Sequence, residues 1–178
     1  MSKELVPILP KDEITKLILK QAIDQLNVVS KTVEECRSIM YKTASKLPEF
    51  PVVMNMKGVG PSLGPQPMAE IGDVLRFTHK GALTAFAGVN PGVNESGSYA
   101  QKSVPTTKRG SSELRKTLFQ VMDILIKQSH KRIVFTSSWI KSVLKVNPYY
   151  VYMTAGANKF LRIYYGRVKE YLITLQEY

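Results

Sequence analysis

The sequence predicts a mainly α fold: a long N-terminal coiled-coil-like helix, then a compact helical domain holding a helix-hairpin-helix-like element and a small β-ribbon. Three observations predict it. Apolar residues recur at three- and four-residue steps in three separate stretches, the period of a helix with one buried face. Glycine and proline cluster between those stretches. With 178 residues, 44% hydrophobic and 22% charged, the chain is long and apolar enough for one domain with a real core.

Residues 12–47 read as one helix, capped by Asp12 and ended by Pro48. Leu26, Val29, Val33, Cys36, Met40, Ala44 and Leu47 form a seam close to the 3.5-residue period. At full length such a helix reaches about 50 Å, too long for a domain of this size to cover. The seam therefore predicts pairing, with another helix of the chain or with a second protomer. A helix buried in its own bundle fits as well. Domain boundaries follow at 1–50, the linker or dimerisation segment, and 51–178, the compact domain.

After Pro51 comes VVMNMKGVGPSLGPQPMAEIGD, with four glycines and three prolines. MKGVGP resembles the turn of a helix-hairpin-helix element, in which Gly58 and Gly60 would let backbone N–H groups approach a phosphate. A plain tight turn explains the pattern equally. Pro65 and Pro67 should delay or break the following helix. Glu70 and Asp73 lie at a spacing that suits a metal, but Gly72 between them favours a helix end followed by an Asp cap. HKGALTAFAG, 79–88, reads as a short helix closed by Gly88, and NPGVNESGS as an irregular loop. SYAQKSVPTT is assigned to the small exposed ribbon. Gly110 or Ser111 then caps a helix to about Gln128, with Leu114, Leu118, Val121 and Leu125 as its buried stripe. Residues 131–150 give no clear pattern. From Met153 to Leu175 the helical period returns, through Ala157, Phe160, Leu161, Tyr164, Val168 and Leu172. Seven of the nine tyrosines lie from 149 onward, more as packing residues than as base-stacking ones.

Composition narrows the function. No apolar run is long enough to span a membrane, and the first residues lack a signal peptide's core. Cys36 alone allows no internal disulfide, which fits a reducing cytoplasm. His79, His130 and Cys36 have no metal-ligand spacing, so no metal site is expected in this chain. The net charge of +11 is concentrated: residues 100–145 hold ten cations against two acids. Such a local positive field suits a polyanion, nucleic acid above all; a solvated basic face is the plainer alternative. Lys102, Lys108, Arg109, Arg115 and Lys116 are the candidate contacts, four of them around the start of one helix, where phosphate binds readily.

The series KGVGP…AEIGD…RF…AFAGVNP…SG…TTKRGSSELRKTL resembles the C-terminal transposase domain of a bacterial insertion-sequence family. Members of that family join a Holliday-junction-resolvase-like DEDD domain to a serine-bearing domain and are also known as bridge-RNA-guided recombinases. The likeness spans roughly 51–128, and ANKFLRIYYGRVKEYL resembles the family's closing helix. The long first helix resembles the coiled coil that joins the two domains.

The resemblance implies that Ser96, followed by Gly97, is a nucleophile attacking a DNA phosphate to give a transient phosphoserine link. It further implies DNA as partner, a guide RNA as a second one, a homo-oligomer through the N-terminal helix, and a bacterial, nucleoid-associated setting. It places Mg²⁺ in the DEDD domain, for which the eleven residues before the helix leave no room. The chain is therefore expected to be inactive in cleavage alone. Two other readings stand beside it: a basic nucleic-acid-binding remnant without chemistry, and a helical interaction protein. Tyrosine-recombinase and serine-hydrolase chemistry are set aside, because neither an Arg/His cluster nor a triad histidine is present.

Overall fold

The computed structural model describes residues 12–92, 95–96, 99–100, 106–129 and 149–177, the four residues 95, 96, 99 and 100 by their backbone alone. Lys102 and the stretch 131–148 lie outside the described residues. The fold is mainly helical, with a long N-terminal helix, as the sequence predicts. The chain divides into two compact units, Met1–Met40 and Tyr41–Tyr178.

Helix α1 runs Glu13–Ala44. Asp12 caps it, its Oδ1 accepting from the Thr15 amide at 2.8 Å. The Thr15 side chain and amide hold the Asp12 carboxyl below its usual range, since both hydrogen bonds favour the charged form. Within the first unit α1 is exposed on every side. Leu26, Val29 and Val33 of the predicted seam are 63%, 60% and 42% exposed.

In the second unit, α2 (Phe50–Met54), α3 (Pro65–Ile71) and α4 (Lys80–Phe86) are short. Two long helices, α5 (Ser112–Ser129) and α6 (Tyr149–Gln176), follow among the described residues. Pro65 and Pro67 do delay their helix: α3 starts at Pro65, where a missing N–H costs nothing. Asp73 caps a single turn, Val74–Arg76, its Oδ1 accepting a hydrogen bond from the Leu75 amide at 2.8 Å. Glu70 instead accepts from Ser111 Oγ at 2.7 Å, so the two carboxylates serve separate structural tasks.

The core lies where α5 and α6 meet the short helices. Leu114, Leu118 and Val121 of α5 are fully buried, as are Ala157, Leu161 and Val168 of α6. Each fully buried Leu or Val contributes about 1.5–3 kcal/mol. Two polar links tie α3 to α5, Glu70–Ser111 and Gln66–Thr117, the latter at 2.9 Å. The α6 tyrosines divide by depth. Tyr164 is buried with no hydrogen-bond partner for its hydroxyl among the described residues, and burial, reinforced by Glu49, pushes it well above the usual tyrosine range. Tyr149 and Tyr150 stay exposed at the start of the helix.

Candidate nucleic-acid interface

Ser96 lies on a two-stranded antiparallel ribbon, Glu95–Ser96 (β1) paired with Tyr99–Ala100 (β2). Glu95 faces Ala100 and Ser96 faces Tyr99. The ribbon therefore begins within the stretch read as irregular loop, a few residues earlier than SYAQKSVPTT. Two-residue strands carry almost no periodic signal, so alternation could not place them.

The ribbon is held at a neck. Pro91 bridges to Thr106. The Thr107 amide donates to Asn90 O at 3.2 Å, and Thr107 Oγ1 donates to Asn90 Oδ1 at 3.0 Å. Below the neck, the Ser111 amide donates to Phe86 O at 2.8 Å. The segments 86–91 and 106–111 thus run side by side, and the loop between neck and α5 carries Lys108 and Arg109.

Both side chains are exposed. Lys108 has a left-handed backbone, φ 51°, a costly conformation for a lysine. Arg115 steadies it: its guanidinium donates to Lys108 O at 3.3 Å and, through the same nitrogen, to Ala87 O at 3.1 Å. Arg115 is half-buried, so part of its fork is spent on the backbone. Ser111 caps α5, accepting from the Leu114 amide at 3.0 Å. Lys116 is exposed and lies 3.7 Å from Glu113, a surface pair of little energetic weight. Arg76 is stacked over Phe77 and Phe86 at 4.6 and 4.9 Å.

Lys108, Arg109, Arg115 and Lys116 are therefore brought together around the start of α5, joined through the neck to the ribbon of Ser96. The glycine turn is elsewhere. Gly58 has φ +81° and packs under Leu125, whose Cγ lies 2.6 Å from where a Cβ would be. Leu125 is ten residues along α5 from Arg115, about 15 Å away. Gly60 faces open space and its carbonyl accepts from the Leu63 and Gly64 amides.

Among the described residues, no three His, Cys, Asp or Glu gather as a metal site, and no helix is long and apolar enough to cross a membrane. The sequence reading missed the Asn90–Thr107 clamp and the inward turn of Arg115. The Asn90-Pro91 pair is a turn signal that pointed to the first. A search of curated proteins finds no match to the chain. Residues 51–134, the stretch that holds the ribbon, the neck, the basic loop and α5, are similar to a known family, matching the model described as Transposase IS116/IS110/IS902 family.

Proposed function

We propose that this chain is the DNA-binding C-terminal part of an insertion-sequence transposase and that Ser96 is its nucleophile for strand cleavage and rejoining. The observation that supports it best is the neck. It ties the ribbon bearing Ser96 to a loop that presents Lys108 and Arg109 to solvent. Ser96 is five residues beyond the neck at Pro91, so no more than about 17 Å of chain separates the two.

In the proposed step Ser96 Oγ bonds to phosphorus as a P–O bond of the strand breaks. The serine proton ends on the departing sugar oxygen. One phosphate ester replaces another, so rejoining by reversal needs no outside energy source. The described carboxylates do not fit a metal site, and no part of the step is assigned to a metal held here. A guide RNA belongs to the same proposal as the family's second nucleic acid.

The basic loop is tested by salt dependence. Lys108→Ala with Arg109→Ala should lower the slope of log affinity against log salt by about two, if each side chain meets one phosphate. Duplex-binding titrations at four salt concentrations measure it. An unchanged slope would remove the loop from the contact surface.

We further propose that α1 pairs with a second copy of itself. Its seam repeats with the coiled-coil period and is exposed from Leu26 to Met40, whereas Ala44 is buried in the core of the second unit. Val33→Asp should convert a dimer to a monomer in sedimentation, because a buried, unpaired carboxylate is costly. A variant that sediments as the parent does would refute the pairing.

A further inference from the structure

Beside the neck lies an open cleft with a volume of ≈ 1000 Å³, at the upper end of small-molecule pockets. One wall is the polar stripe of α6: Tyr150, Thr154, Asn158 and Arg162, each four residues after the last. This ridge spans about 18 Å, the rise of about five stacked nucleotides. The adjoining face of α6, with Met153, Ala157 and Leu161, is core. His79, Asn90, Pro91 and Thr106 form the other wall, so the chain leaves the cleft's rim at Pro91, runs through Ser96 and returns at Thr106.

The chemistry of the lining is one-sided. None of the lining residues is an aspartate or glutamate. By contrast, Asp123 lines the neighbouring cleft between α5 and α6, and Glu49 and Asp73 line a notch near the α6 end. His79 Nδ1 accepts from the Gly81 and Ala82 amides at 3.1 and 3.2 Å, which leaves Nε2 as a donor. Asn90 spends its carbonyl oxygen on Thr107, which leaves its NH₂ group. Arg162 is exposed and makes no ion pair or hydrogen bond among the described residues. Donors with no competing carboxylate suit phosphate. Tyr150, 72% exposed and set edge-on to Tyr149, offers an open aromatic face.

We propose that this cleft takes an unpaired DNA strand, with Arg162 on a phosphate and Tyr150 stacked on a base, and leads that strand to the Ser96 ribbon. The proposal rests on the transposase-domain reading above and extends it. A duplex has its base faces closed, whereas a free strand can stack on the exposed ring. The exit of the cleft at the ribbon identifies the strand as the one to be cut.

The test uses the full chain, a fluorescent twelve-residue oligothymidylate, the matching oligouridylate and a duplex, followed by anisotropy. Tyr150→Ala and Arg162→Gln are exposed changes, and circular dichroism with thermal melting checks that each variant folds as the parent does. Each should weaken oligothymidylate binding by roughly tenfold, with duplex affinity held within about twofold. Parent-like oligothymidylate affinity in both folded variants overturns the cleft. So does tighter binding of the oligouridylate. The Lys108→Ala, Arg109→Ala variant separates the two readings: if it alone loses affinity, the DNA-binding reading stands and the cleft falls. If the parent binds neither strand nor duplex, both fall.

Discussion

Ser96→Ala is expected to abolish the covalent protein–DNA adduct completely while leaving DNA affinity unchanged. In the proposed function the adduct forms through the Ser96 oxygen, and alanine offers none. The ribbon that carries the serine is held by its backbone pairing and by the Pro91–Thr106 bridge, neither of which uses the hydroxyl. The loss should therefore be chemical rather than structural. The measurement is denaturing electrophoresis of the full chain with labelled DNA, a DEDD domain being supplied separately. An adduct that persists in Ser96→Ala would assign the link to another residue. Loss of DNA binding together with the adduct would give Ser96 a structural role.

The second large effect falls on stability. Gly110→Ala should lower stability by at least about 3 kcal/mol, a melting shift on the order of 10 °C for a unit of this size. Gly110 has φ +128°, and a Cβ there would lie 2.1 Å from Phe86 O and 2.8 Å from Phe86 C. Those atoms are backbone, fixed by the hydrogen bond from the Ser111 amide, so they cannot swing aside as a side-chain tip can. Gly60→Ala is the control. Its added Cβ meets nothing within 4 Å, and its φ lies outside the positive region. It should stay within about 0.5 kcal/mol of the parent. Equal melting of the two variants would mean that the segments 86–91 and 106–111 separate at little cost.

The long helices were legible because their buried stripes are local. Leu114, Leu118 and Val121 recur at a spacing that the eye can count, and all three are fully buried. Asp73 as a cap was legible for the same reason, since its partner is two residues on. Arg115 was not. Its place on the first turn of a basic helix reads as a phosphate contact, while one of its carbonyl partners lies 28 residues back in the chain. No local pattern reports a contact of that range. The α6 cleft is opaque in the same way, because its walls come from residues 79–91, 106 and 150–162. Tyr150 and Tyr164 belong to one helix and one residue type, yet one is 72% exposed and the other 1%. The register against α4 and α5 decides between them, and register is a tertiary property.

The Asn90–Thr107 clamp has a further consequence. Because both ends of the intervening segment are held beside each other, its closure entropy grows only slowly with its length. Doubling such a segment adds only about 0.6 kcal/mol. A change in the length of the part that carries Ser96 should therefore cost little stability while the helices beneath keep their packing.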